Sequence, residues 1–128
     1  MTTSPDRIDR IYHITAQADW DAAQRQGRYE APSLQTQGFI HFSTVDQVLR
    51  VVNAIYTGQT GLILLEVDTA RLESELKYEP PDMAVPAEHQ TDELFPHLYG
   101  PLNVDAVVRV HDFPMGEDGH FTLPDGVR

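Results

Sequence analysis

The chain has 128 residues, 41% of them hydrophobic and 23% charged, as expected for one globular domain with its own core. Its formal net charge is −11 and its pI is near 4.7, which argues against a broad nucleic-acid surface or attraction to anionic lipid. The sequence contains no cysteine, which excludes disulfides, thiolate nucleophiles and cysteine-ligated zinc.

The N-terminal third predicts a strand, a helix and a loop. Residues 1–6 indicate a flexible leader without the apolar region of a signal peptide, so we expect a cytoplasmic protein. The β-branched and aromatic run over residues 8–15 predicts the first strand. Residues 18–26 predict a helix that buries Trp20 and Ala23, with Ala22 as a further candidate for the inner face, and that ends at Gly27. Residues 28–37 predict a loop.

A second strand and helix follow. Residues 38–43 (GFIHFS) predict the strand, and Ser43 or Thr44 can cap a helix over residues 45–56. Spacings of three and four predict one buried stripe on this helix, formed by Val45, Val48, Leu49, Val52, Ile55 and Tyr56. Residues 57–61 predict a turn, and residues 62–67 predict the most buried strand, which is too short to span a membrane.

The second half of the chain predicts mostly strands. Short strands are expected at residues 76–79 and 106–110, with a helical turn at residues 68–70. The acidic, proline-rich residues 80–93 predict a mobile loop. Residues 94–102 predict a rigid irregular segment, residues 112–123 a closing hairpin, and residues 125–128 a flexible tail. We therefore expect one compact α+β domain over residues 1–128, with two main helices and a split, mostly antiparallel sheet.

Two histidines lie inside apolar strands. His13 and His41 are each followed two positions later by a hydroxyl, at Thr15 and Ser43, so each pair shares one strand face. A buried imidazole is costly unless both ring nitrogens find partners. The pattern fits either satisfied core histidines or a polar pocket, and we expect both rings to face one cleft.

The remaining candidates lie later in the chain. His97 and Tyr99 stand between prolines and a glycine (FPHLYGP), either as binding groups or as supports of a turn. Glu79 ends a strand, either as a base or as a solvated acid. His13, His41 and His97 would also suit a three-imidazole zinc site, although no local ligand spacing supports one. His89, His111 and His120 are expected to be solvated.

The motifs IYHIT, GFIHFST, YE and FPHLYGPL resemble a bacterial family catalogued as domain of unknown function 952, over residues 11–123. More distantly, IYHIT and GFIHFS look like the first two NAD-contact motifs of ADP-ribosyltransferases, and most of all those of RNA 2′-phosphotransferases. This resemblance implies a split sheet with NAD or ADP-ribose in its cleft. It implies that His13 contacts the nicotinamide-side ribose, that His41 lies beside the nicotinamide or its replacement, and that Ser43 lies beside the ribose.

Three functional hypotheses follow from the residues and the resemblance. The first is an enzyme that acts on NAD or an ADP-ribose-like nucleotide, with His13, His41, His97 and Glu79 as catalytic residues. In this hypothesis the ligand contacts are His13, Thr15, His41, Ser43 and Tyr99. The second hypothesis is a non-catalytic ligand-binding or regulatory module that uses the same pocket. The third is a metal-dependent hydrolase with only histidine ligands.

Overall fold

The computed structural model describes residues 10–80 and 93–127. Its strands are β1 (Arg10–Ala16), β2 (Arg28–Tyr29), β3 (Ile40–His41), β4 (Leu62–Asp68), β5 (Glu75–Glu79), β6 (Phe95–Tyr99), β7 (Leu102–Asn103) and β8 (Val107–Asp112). Its helices are α1 (Gln17–Gln26), α2 (Pro32–Thr36) and α3 (Val45–Ile55). Single 3₁₀ turns lie at Thr69–Arg71 and Val104–Ala106. The expected leader and most of the expected loop lie outside the described residues.

The strands form three small antiparallel sheets. The first sheet has the order β1-β4-β8, the second has the order β3-β6-β5, and β2 pairs with β7. Between the two three-stranded sheets, the described residues contain one backbone pair, Tyr12 with Ser43, joined by two hydrogen bonds of 2.8 Å. The expected α+β class with antiparallel sheets is confirmed.

The first sheet is covered on both faces along β1 and β4, which explains why apolar residues occupy successive positions in the middle of both strands. Along β1, Ile11 packs with α1 in one hydrophobic cluster, whereas Tyr12 and Ile14 pack with α3 in the other. β4 alternates in the same way from Leu62 to Leu65, and all four of these residues are buried. Burial of each such side chain contributes about 1.5–3 kcal/mol. The first strand that was expected from the run over residues 8–15 is confirmed over Arg10–Ala16.

Both main helices begin and end close to the predicted residues. α1 ends where Gly27 adopts a left-handed φ of 86°, and the Gly27 amide donates to the Ala23 carbonyl at 2.8 Å. α3 begins after Thr44, whose amide donates to the Gln47 side chain at 3.0 Å in a capping box. No helix in residues 10–80 or 93–127 has the length and apolar character required to cross a bilayer.

The expectation of a loop over residues 28–37 was wrong. This stretch contains strand β2 and helix α2, and Pro32 lies at the start of α2, where its missing N–H costs little. Because β2 pairs with the distant β7, its extended conformation depends on a contact that local sequence cannot reveal. The protein therefore has a third helix, in addition to the two that were expected.

Three other expectations also failed. Ile55 belongs to the expected buried stripe of α3 but is 65% exposed. Residues 113–127 form no strand, and a 2.8 Å hydrogen bond from the Gly116 amide to the His120 carbonyl closes a turn in place of the hairpin. The tail is anchored, because Val127 is 3% exposed and packs in the hydrophobic cluster of α3.

Candidate functional site

A cavity of about 580 Å³ lies at the Tyr12–Ser43 backbone pair that joins the two three-stranded sheets. Its polar lining side chains are His13, Thr15, Asp19, Tyr29, Ser33, His41, Ser43, Gln59 and His97. Its larger apolar lining side chains include Val51 and Ile55 from α3, Tyr56 just after that helix, and Phe42 and Phe95. The cavity thus combines one polar region with an apolar wall.

His13 is a buried histidine with both ring nitrogens engaged. Its Nδ1 lies 2.6 Å from the His41 carbonyl oxygen, and its Nε2 lies 2.9 Å from the Tyr29 hydroxyl. A carbonyl can only accept, so Nδ1 carries the proton and Nε2 of the neutral ring accepts from Tyr29. Burial lowers the pKa of His13 to about 4, although the hydrogen bond to the His41 carbonyl opposes this shift. His13 is therefore neutral at physiological pH.

The Tyr29 hydroxyl extends this network to the wall of the cavity. It lies 3.0 Å from Thr15 Oγ1, and both side chains are buried. Burial raises the pKa of Tyr29 to about 12, so its hydroxyl stays protonated and can supply the hydrogen bond that His13 Nε2 accepts. Sequence reasoning missed Tyr29. An aromatic residue within an otherwise polar stretch (GRYEAPS) was the available signal.

His97 is held by a carboxylate. Its Nδ1 lies 2.9 Å from Glu79 Oε1, which also accepts a 2.5 Å hydrogen bond from the Tyr99 hydroxyl. The hydrogen bond from Tyr99 is the largest cause that lowers the pKa of Glu79, and the hydrogen bond from His97 is the next largest. The hydrogen bond between Tyr99 and Glu79 also raises the pKa of Tyr99. Glu79 is therefore ionised at neutral pH, and it fixes the orientation of the His97 ring.

The opposite nitrogen of His97 has no such partner. His97 is 1% exposed, and its buried Nε2 makes no hydrogen bond to any residue in the described part of the chain. The ring also stacks on Phe39, with 4.1 Å between centroids and 15° between planes. A buried polar atom without a partner costs about 1–3 kcal/mol, which makes a histidine in a cavity wall a candidate ligand contact.

His41 lies beside His97 at the same part of the cavity. The two ring centroids are 5.3 Å apart in an edge-to-face arrangement, and His41 Nε2 lies 2.5 Å from Gln37 Oε1. His41 and His97 are register partners on β3 and β6, so strand pairing itself brings these rings together. Ser43 also lines the cavity, and its hydroxyl makes no hydrogen bond with the residues that the structure describes.

The structure brings five of the seven predicted residues to the cavity and places two behind it. His13, Thr15, His41, Ser43 and His97 line the cavity. Glu79 and Tyr99 lie outside the lining and contact it through His97. The segment around His97 was expected to be irregular, but it is the central strand of its sheet, and that expectation was wrong.

Other histidines differ from their predicted environments. His111 was expected to be solvated but is buried, with Nε2 2.9 Å from Glu66 Oε1, because its strand packs on the apolar β4. His120 is exposed, as predicted. His89 lies outside the described residues. Within residues 10–80 and 93–127, no group of three histidine, aspartate or glutamate side chains is arranged to hold a metal ion.

The fold and the site together define a small α+β domain whose histidine-bearing cavity lies between two antiparallel sheets. A family described as proteins of unknown function, DUF952, matches residues 14–110. The chain belongs to this family, and the resemblance to it is confirmed.

Solved structures of a similar protein cover most of the chain. The crystal structure of protein CC0527 from Caulobacter crescentus is 36% identical, covers 89% of this chain and 94% of its own, and has a TM-score of 0.74. The solution NMR structure of CC0527 is 35% identical, covers 88% and 90% of the two chains, and has a TM-score of 0.65. No curated protein matches the sequence.

Proposed function

We propose that this domain binds a nucleotide-like small molecule of the NAD or ADP-ribose type in the cavity between its two larger sheets. The observation that carries the proposal is the polar set on the cavity wall: His13, Thr15, Ser43 and His97 are buried there, and His41 is half-buried. Ligand pockets typically measure about 300–1,000 Å³ and combine an apolar lining with a few placed polar groups. The cavity has this size and composition.

The contacts suggest different roles for the histidines. His13 is neutral and engaged at both nitrogens, so we assign it to positioning the Tyr29 hydroxyl and the His41 carbonyl. In this proposal the hydroxyls of Thr15 and Ser43, which line the cavity, bind ribose hydroxyls. His97 has Nδ1 held by Glu79, and its Nε2 has no partner among the described residues, which is the arrangement of a proton-accepting group oriented by a carboxylate.

The resemblance of IYHIT and GFIHFS to the NAD-contact motifs of ADP-ribosyltransferases supports the same ligand class. In this proposal His41 and His97 lie beside the reacting end of the ligand. Glu79 is a positioning residue that acts through His97, and Tyr99 in turn orients Glu79. The chemistry is transfer or hydrolysis at the ribosyl bond.

Titration with NAD and with ADP-ribose, followed by ¹H–¹⁵N NMR, tests the binding. We expect amide shifts at Thr15, His41 and Ser43 at millimolar ligand, and weaker binding by Ser43→Ala. Exposed His120→Ala is the matched control and should bind as the wild type does. The absence of shifts at the cavity residues would overturn the proposal.

A second candidate is a binding module without turnover, favoured by His13, which is neutral and fully hydrogen-bonded. Release of nicotinamide from NAD separates the two candidates. An enzyme should release it, and both His97→Gln and Glu79→Gln should slow the release while the protein still binds NAD. Binding without release in the wild type would favour the module.

A further inference from the structure

We infer, on the basis of the proposed function, that the cavity takes the ring-and-ribose end of its ligand and excludes phosphate groups. The ligand part inside the cavity is then a neutral or cationic nucleoside-like group. The inference rests on the charges and the apolar wall of the cavity.

The charged lining residue of the cavity is an acid. Asp19, in the first turn of α1, contributes the carboxylate, and the lining contains no lysine or arginine in the described part of the chain. The other titratable lining groups are histidines and tyrosines, and His13 is kept neutral by burial, with its pKa lowered to about 4. A phosphate group entering the cavity would lose hydration without meeting a permanent cation.

Four arginines in the described residues are already paired with acids outside the cavity. Arg10 contacts Glu66 and Asp68, and Arg71 contacts Asp68. Two more such pairs are Arg28 with Glu30, at 2.8 Å, and Arg50 with Glu93, at 2.5 Å. Lys77 lies over the Tyr99 ring, with 4.8 Å between Nζ and the ring centroid. With a net charge of −11, the chain as a whole also repels anions.

The apolar wall suits a flat ring. Val51 and Ile55 of α3 line the cavity together with Tyr56, which follows the helix, and Ile55 is 65% exposed although it is a large aliphatic side chain. A heterocyclic base placed against this wall would cover Ile55, while ribose hydroxyls face Thr15 and Ser43. The exposed isoleucine is thereby explained as part of a binding surface.

Electrostatics gives the expected size of the discrimination. A phosphate dianion held about 10 Å from one carboxylate in water loses about fourfold in affinity, before any desolvation is counted. This repulsion is screened by salt, so the affinity for a phosphorylated ligand should rise with ionic strength. A cationic phosphate site would show the opposite dependence.

Isothermal titration with matched pairs tests the inference: adenosine against AMP, and nicotinamide riboside against its mononucleotide, at about 20 mM and about 200 mM NaCl. We expect at least one nucleoside to bind about fourfold or more tightly than its phosphate at low salt. The gap should narrow at high salt. Asp19→Lys should reverse the preference, whereas Asp21→Lys, the same charge change on an exposed residue outside the lining, should preserve it.

The outcomes separate the inference from the proposed function. If the monophosphates or ADP-ribose bind more tightly than the nucleosides and weaken with salt, the inference is overturned and the proposed function stands. If no nucleoside or nucleotide binds, both are overturned. If Asp21→Lys changes the preference as much as Asp19→Lys does, the discrimination comes from net charge, and the cavity is not its source.

Discussion

Lowering the pH should destabilise the fold through His13. Burial lowers the pKa of its ring from 6.5 to about 4, and unfolding exposes the ring and restores the ordinary value. Between these two values the unfolded chain binds a proton that the folded chain does not, so the free energy of unfolding falls as the pH falls. The slope is about 1.4 kcal/mol per pH unit, and the loss levels off at roughly 3 kcal/mol below the folded pKa.

Urea unfolding of the wild type and His13→Gln measures this contribution. Glutamine keeps a hydrogen-bond donor and an acceptor but does not titrate. The 20 acidic residues are common to both proteins, so their titration cancels in the comparison. When the pH is lowered from about 7.5 to about 4.5, the free energy of unfolding should fall by about 2–3 kcal/mol more in the wild type than in the variant. His120→Gln, at an exposed histidine, should follow the wild type at every pH.

A direct titration gives an independent check of the same reasoning. The ring Cε1–H resonance of His13 should show no protonation in the folded protein until the pH approaches 4. A midpoint near the ordinary value of about 6.5 would mean that the ring is hydrated and that His13 does not cause the loss of stability at low pH.

Two further substitutions have expected effects that can be measured by urea unfolding. Tyr29→Phe removes the hydroxyl group that donates to His13 Nε2, and it should lower the free energy of unfolding by about 1–3 kcal/mol. A smaller decrease would mean that a water molecule replaces the hydroxyl group. Gly100→Ala should lower the free energy of unfolding more than Gly38→Ala does. A Cβ atom at Gly100 would collide with the Ser74 side chain, whereas a Cβ atom at Gly38 meets open space. Equal losses would show that the positive φ alone sets the cost.

Local sequence signals predicted the elements that depend on local physics. The alternation in β1, the glycine stop after α1 and the cap before α3 each involve residues within a few positions of one another. The polar insertions His13 and His41 were recognisable for the same reason, because each interrupts an apolar strand. The candidate site could be predicted to this extent.

Elements that depend on distant partners could not be predicted. β2 is extended because β7 pairs with it, and Tyr29 reaches His13 only in the folded chain. Pro96 is typical of an irregular segment because proline has no backbone N–H to donate. Its carbonyl nevertheless accepts a 3.0 Å hydrogen bond from the Phe42 amide, so the strand lacks only one backbone donor at this position. The burial of Val127 likewise depends on the tertiary contacts of a short tail.

The single Tyr12–Ser43 pair has a practical consequence for finding the ligand. Within the described residues, two backbone hydrogen bonds connect the two larger sheets, each worth about 0.5–1.5 kcal/mol net. A molecule that touches both β1 and β3 would add contacts between the two sheets, beside the apolar cluster that Ile11 and Ile40 share. Its binding would raise the melting temperature by mass action, whether or not any reaction follows. A thermal-shift screen of small metabolites is therefore a sensitive first assay for this protein, and it detects inert ligands as readily as substrates.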